Sequence, residues 1–177
     1  MKVKSLMVIG CLMACVFCPS VFGQEETSQA ELFGGFSLVQ RSDGKLPGWG
    51  VSVAADIASG FAFKLDMSGG YSTLRDFDDS SVSQHNILGG AQYAKRFEHV
   101  NVFAEALAGL GHVRERIGGE YGNANGFAMA FGGGLDWKFS QKLGWRVAQL
   151  DYMPLRVNGA TEKGFRLQTG LLIPFGK

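Results

Sequence analysis

Seven charged residues stand at alternating positions within otherwise apolar stretches, and no other residues of the chain are better placed for chemistry. They are Asp56, Lys64, Asp66, Glu105, Asp136, Arg146 and Arg166. Acids and bases on one face of a sheet could relay protons or ions, and they could equally pair with one another into a structural network. The choice between these two hypotheses depends on the elements that carry the residues.

Other residue patterns give weaker indications of a metal or phosphate site. The three histidines, His85, His99 and His112, lack the spacing of metal ligands. The acidic run at residues 75–80 lacks the spacing and the closing glutamate of a calcium loop. The three glycines at 132–134 precede no Lys-Ser/Thr pair, so they do not form a phosphate loop. We therefore expect no metal, no cofactor and no catalytic residue.

The chain alternates large apolar residues with small or polar residues, which is the pattern of β-strands and not of helices. About eight segments show it, each near the ~10 residues that cross a bilayer at a tilt. They cover residues 32–40, 49–57, 61–71, 84–96, 100–114, 127–138, 143–153 and 165–175. In the seventh segment Arg146 has the opposite parity from Gln149 and Asp151, and a β-bulge would bring all three to one side.

The predicted connections alternate in length. Those at residues 58–60, 97–99 and 140–142 are tight. Longer polar connections are predicted at residues 41–48, 73–83, 116–125 and 155–163. Short turns at one end and long loops at the other are typical of an outer-membrane barrel. We therefore predict an all-β fold, a closed antiparallel up-and-down transmembrane barrel of eight strands.

The two faces of the strands indicate which side meets lipid. A small closed barrel has an interior just wide enough for side chains, and eight rows of large aromatics would overfill it. The charged face therefore points inward, and we interpret the seven charged residues as a salt-bridge plug. The aromatics are expected to form two outward belts. The belt near the tight connections comprises Phe33, Phe61, Phe63, Tyr93, Phe97, Trp137, Phe139, Trp145 and Phe175. The belt near the long connections comprises Trp49, Tyr71, Phe127, Tyr152 and Phe165.

The first residues predict export. Lys2 and Lys4 precede an apolar stretch at residues 5–17, and small residues precede a cleavage site between Gly23 and Gln24. We assign residues 1–23 to a signal peptide, 24–30 to a short polar leader and 31–177 to the barrel. An alternative is lipidation at Cys15, which ends a lipobox-like LMAC sequence. Cleavage after Gly23 would remove all three cysteines, and it would change the formal net charge from +1 to −1.

The chain resembles the small bacterial outer-membrane β-barrel family, the OmpA-like or OmpX-like eight-stranded barrels. The resemblance is carried by ELFGGFS at residues 31–37, FAEAL at 103–107, FGGGLDW at 131–137, QLDY at 149–152 and GLLIPFG at 170–176. It implies a location in the outer membrane, surrounding lipid, insertion by the barrel-assembly machinery and no shared catalytic residues. Gly176 and Lys177 follow the terminal aromatic, which departs from the family's usual end.

We therefore expect a monomeric, non-enzymatic envelope protein with a structural or surface-interaction role. The near-zero net charge gives no electrostatic case for nucleic acid. Two alternatives stay open. A lipid-modifying barrel enzyme is one, although the chain has QHNI at residues 84–87 where a lipid A deacylase of this type shows His-x-Ser-Asn. A soluble exported barrel with a lipocalin-like mouth is the other.

Overall fold

Strands make up nearly all of the chain that the computed structural model describes, which covers residues 30–42, 44–74, 80–117, 120–157 and 159–176. Among these residues no helix is long and apolar enough to cross a bilayer. The strands are β1 (Ala30–Arg41), β2 (Gly44–Ala58), β3 (Phe61–Leu74), β4 (Ser80–Arg96), β5 (Val100–Ile117), β6 (Glu120–Lys138), β7 (Gly144–Tyr152), β8 (Leu155–Val157), β9 (Ala160–Glu162) and β10 (Gly164–Phe175). The predicted signal peptide, its cleavage site at Gly23 and Gln24, and Cys15 lie outside the described residues.

Eight of these strands close into a ring. The order is β1, β2, β3, β4, β5, β6, β7 and β10, and β10 pairs back onto β1. Every pairing is antiparallel. The predicted eight-stranded antiparallel barrel is confirmed, and closure leaves no strand of the ring with an unpaired edge. Ala30, which the sequence places in the leader, is already paired with Phe175 as the first residue of β1.

A two-stranded hairpin of β8 and β9 extends the barrel wall between β7 and β10. It forms where Pro154 interrupts β7, because proline has no N–H to donate to a ladder. The Pro154 carbonyl still accepts the amide of Met129 at 3.0 Å. β8 then pairs with β6 at Phe127 and Ala128, so the wall continues beyond the break.

The connections differ at the two ends of the barrel. At the turn end, the tight connections follow β2, β4 and β6, as predicted. At the hairpin end, the predicted long loops are mostly strand. β1 and β2 are separated by two residues and so are β5 and β6, while β8 and β9 occupy the last predicted loop. The predicted loop lengths are therefore wrong. The reason is that their polar and glycine-rich composition is typical of loops, whereas backbone pairing between strands continues through such residues.

Large apolar side chains point outward and charged side chains point inward. Leu65 is 42% exposed, whereas its neighbours Lys64 and Asp66 are completely buried. Most of the predicted belt aromatics are exposed on the outer face. Phe33 is the exception: the sequence places it in the outward belt near the tight connections, but it lies buried in the lumen. Its parity in β1 matches that of the buried Ser37 and Val39, which also face inward.

The predicted β-bulge lies in β7. Gln168 of β10 pairs with Gln149, but Gly170 pairs with Arg146. Two residues of β7, Val147 and Ala148, therefore stand opposite the single residue Thr169 of β10. The same shift appears against β6. Val147 is consequently exposed on the outer face while Arg146, Gln149 and Asp151 are all buried inside.

Candidate functional site: the charged lumen

The most unusual feature of the barrel is a layer of fully buried ions across its lumen. Three cations and four acids in this layer have exposures of 6% or less. They are Lys64, Arg146, Arg166, Asp66, Glu105, Asp136 and Asp151. Each comes from an inward position of its strand, so the pleat that puts apolar groups outside puts the charges inside. A buried charge is costly unless it is paired and hydrogen-bonded.

Arg166 of β10 is the centre of the first cluster. Its Nη1 donates to Asp66 Oδ1 at 2.5 Å and to Ser68 Oγ at 3.2 Å, both on β3. Its Nε donates to Asp151 Oδ2 on β7 at 2.9 Å. Glu105 Oε1 lies 3.8 Å from Nη2. One guanidinium thus joins β10 and its neighbour β7 to β3, which is adjacent to neither, using the planar fork that arginine offers.

Lys64 and Glu105 form the second cluster. Lys64 Nζ donates to Glu105 Oε2 at 2.6 Å, and both side chains are buried. Gln149 connects this pair to the first cluster, because its Nε2 donates to Glu105 Oε1 at 2.9 Å and to Asp151 Oδ2 at 2.8 Å. The network therefore has a neutral residue at its centre that donates to two carboxylates.

Arg146 of β7 is the centre of the third cluster. Its Nε and Nη2 bind the two oxygens of Asp136 at 2.8 and 3.2 Å, a bidentate pair. Nη1 donates to Gln149 Oε1 at 2.8 Å, which joins this cluster to the others. The guanidinium carbon lies 4.7 Å from the ring centre of Phe33 and 4.3 Å from that of Phe103. Two aromatic rings thus contribute cation–π contacts to the same buried charge.

Six of the seven predicted site residues belong to this network. Asp56, the seventh, binds Arg96 at 2.7 Å near the turn end, where both side chains are partly exposed. The prediction missed Asp151, Gln149 and the two aromatic rings, and it missed Glu31, whose Oε1 lies 3.6 Å from Arg146 Nη2. Once the bulge is taken into account, Asp151 and Gln149 lie on the same inward face of β7 as Arg146. The alternation of the sequence therefore indicates their position in the lumen. Nothing in the alternation indicates that Phe33 and Phe103 contact a cation.

An apolar cluster fills another part of the lumen, on the side of β4, β5 and β6 and toward the hairpin end. It comprises Leu88, Leu107, Val113, Ala128, Ala130, Met153 and Leu155. At the turn end a cavity of about 960 Å³ opens at the mouth, and Glu31, Arg96, Asn101, Asp136 and Lys138 are among its lining residues. The charged layer and the apolar cluster thus lie between this mouth and the hairpins.

The histidines do not enter the lumen network. His85 and His112 lie on the outer face and hydrogen-bond to Tyr71 and Asn125, whereas His99 lies in the turn after β4. Within the described part of the chain, no group of three or more His, Cys, Asp or Glu side chains could hold a metal ion. What the geometry offers chemically is a set of buried charges paired with one another, in which the four acids outnumber the three cations by one.

No protein-family model and no curated protein matches the chain. Solved structures do match its fold. Neisserial surface protein A is similar with a TM-score of 0.64 and 15% identity, over 84% of this chain and 97% of that one. Ail, the attachment invasion locus protein of Yersinia pestis, is similar with a TM-score of 0.59 and 14% identity, over 85% and 100%. The N-terminal β-barrel domain of OprF from Pseudomonas aeruginosa has a TM-score of 0.57 and 15% identity, over 86% and 100%.

All three similar structures are small barrels whose strands close into one ring, and each is matched over nearly its whole length. The closed eight-stranded ring agrees with this likeness. The chain has the fold of the small outer-membrane β-barrel proteins.

Proposed function

We propose that this chain is a non-enzymatic outer-membrane protein of the cell envelope, with a structural or surface-interaction role. The observation that carries the proposal is the inverted distribution of polarity: Lys64 and Asp66 are buried in the lumen, while Leu65 between them is exposed. In water such an exterior would be a large apolar patch. In a bilayer it is the lipid-facing surface of a barrel whose backbone hydrogen bonds are all made within the wall.

The lumen, in this proposal, is a plug. The three buried cations are each bound by at least one carboxylate, and Gln149 links the clusters. The apolar cluster around Leu107 provides a second obstruction, because its side chains offer an ion no replacement for its water shell. We therefore expect the folded barrel to insert into planar bilayers without producing open-channel conductance steps.

The hairpins are the region proposed for surface interaction. β5 and β6 pair over their full length, from Val100 opposite Trp137 to Ile117 opposite Glu120, and so extend the wall well beyond the aromatic belt of the hairpin end. The turn end carries the start of β1 and the end of β10, and we place it in the periplasm. One of the similar structures is an attachment protein by name, which favours an exposed role for the hairpin end.

The alternatives have less support. A lipocalin-like barrel needs an apolar cavity and a polar exterior, whereas this barrel has the reverse distribution. A hydrolase needs a nucleophile, a base and an orienting acid within hydrogen-bond reach. The hydrogen-bond partners of His85 and His112 are instead Tyr71 and Asn125.

Membrane fractionation combined with heat-shift electrophoresis tests the location. The mature chain should appear in the outer-membrane fraction, require detergent for extraction, and migrate differently before and after boiling. After crosslinking before extraction, the chain should still migrate as a monomer. Depletion of the barrel-assembly machinery should lower the amount of the heat-shifted form. Recovery of the folded chain from the periplasm without detergent would overturn the proposal. Channel steps from a folded sample would overturn the plug alone.

A further inference from the structure

A row of hydrogen-bonding side chains crosses the outer surface near the hairpin end, where lipid would otherwise meet apolar groups. We call Tyr71, His85, His112 and Asn125 the outer row. His85 of β4 stands opposite His112 of β5, which stands opposite Asn125 of β6. Opposite His85 on β3 is Gly69, where an added Cβ would lie within 3.0 Å of both the Trp49 and the His85 rings. The glycine thus gives these two rings the space to lie against the wall.

Hydrogen bonds connect the side chains of the outer row to one another and to Trp49. Trp49 Nε1 can only donate, and it does so to the Tyr71 hydroxyl oxygen at 3.3 Å. The Tyr71 hydroxyl is also hydrogen-bonded to His85 Nε2 at 3.1 Å, and the tautomer of His85 determines which of the two groups donates. Asn125 Oδ1 accepts from His112 Nδ1 at 2.7 Å, so the Asn125 amide N–H groups stay available. The Asn125 side chain consequently presents hydrogen-bond donors on the outer face.

The charges beside the row have one sign. Arg114 is exposed and lies two residues beyond His112 on the same face of β5. Arg156 is exposed on β8, opposite the outward Phe127. Lys45 is exposed on the outward side of β2. Of the acids in the described hairpins whose side chains can be assigned, Glu115 shares the inward parity of Val113, and Glu162 binds the inward Arg41.

We propose that the outer row and Arg114 form a binding surface for the phosphate of an anionic lipid headgroup in the surrounding leaflet. At one end of the row, Tyr71 contacts Trp49, and both rings belong to the aromatic belt of the hairpin end, which marks the headgroup level of a bilayer. Among the described side chains, the Asn125 donors and these cations have no acid beside them on the outer face, which fits a phosphate, and the apolar wall below fits the attached acyl chains. The inference rests on the membrane location proposed above, but it can fail while that location holds.

The test uses the folded full-length barrel in phosphatidylcholine nanodiscs that contain a small fraction of phosphatidic acid. Native mass spectrometry after release counts the phosphatidic acid that stays bound. We expect selective retention by the unaltered chain, and about a fivefold weaker apparent affinity for Arg114→Gln. Asn125→Ala removes donors without changing charge and should also weaken retention. Lys142→Gln removes an exposed cation at the turn end and should leave retention unchanged.

Each variant is first checked for the heat shift, so a loss of lipid is not confused with a loss of folding. Equal retention of phosphatidylcholine and phosphatidic acid by a properly inserted barrel would overturn this inference and leave the proposed function intact. Equal losses for Arg114→Gln and Lys142→Gln would also overturn it, because charge alone would then explain binding. Displacement of phosphatidic acid by the same concentration of inorganic phosphate would assign the surface to a free anion instead of a headgroup.

Discussion

Arg166 and Asp66 bind each other at 2.5 Å across the lumen, from β10 and β3, which are separated in the ring by β1 and β2. No backbone ladder joins these two strands directly. The pair therefore fixes the relative position of two parts of the wall that the hydrogen bonds between neighbouring strands do not connect directly. Asp151 on β7 holds the other side of the same guanidinium at 2.9 Å, so one cation ties three strands together.

Arg166→Met should destabilise the barrel by about 3–5 kcal/mol, because it leaves Asp66 and Asp151 buried without their cation. The measurement is the urea dependence of unfolding in lipid vesicles, followed by tryptophan fluorescence. Lys163→Met is the matched control, since it removes an exposed cation beside the start of β10. An equal loss in the two variants would mean that the buried pairing does not determine the effect.

The Lys64–Glu105 pair should show strong coupling in a double-mutant cycle. Both side chains are buried and their charged atoms are 2.6 Å apart. Lys64→Met alone should cost about 3–5 kcal/mol, whereas adding Glu105→Gln should recover part of that loss by removing the unpaired charge. The free energies of unfolding of the two single variants and the double variant give the coupling. Additive effects would show that Lys64 and Glu105 act independently.

Much of the wall is predictable from the sequence because one physical constraint acts on every strand. A strand with a lipid-facing side and a charged side must alternate, so the residues around Leu65 reveal their faces directly. The bulge in β7 was predictable for the same reason. Arg146 could reach the side of Gln149 and Asp151 only through an extra residue, and the register confirms that shift.

The rest could not be predicted, because it depends on register around the whole ring. Which acid meets Arg166 is decided by how β3, β7 and β10 are staggered, and no local pattern contains that information. Phe33 was misplaced because an aromatic at an inward position looks the same in the sequence as a belt residue. Its environment is explained only by the guanidinium of Arg146, which it contacts from another strand.

Leu65→Arg should prevent assembly, because it places a cation on the lipid-facing side near the middle of β3. The expected cost is about 2–4 kcal/mol at mid-bilayer. Ser81→Arg, at an exposed position near the start of β4, is the control and should fold normally. The fraction of heat-shifted protein after refolding into vesicles measures both. If the two variants fold equally well, the outward face does not lie in lipid.

Gly35→Ala should be destabilising while Gly34→Ala is tolerated, although the two residues are adjacent in β1. Gly35 stands opposite Gly170, and a Cβ at Gly35 would overlap the backbone of Thr169 and Gly170. No atom lies within 4 Å of a Cβ built on Gly34, which points outward. Because strand backbones cannot yield as a flexible side chain does, overpacking at Gly35 should cost about 1–3 kcal/mol. The urea midpoints of the two variants in vesicles measure the difference. Equal midpoints would show that the close approach of β1 and β10 does not limit side-chain size at this point of the wall.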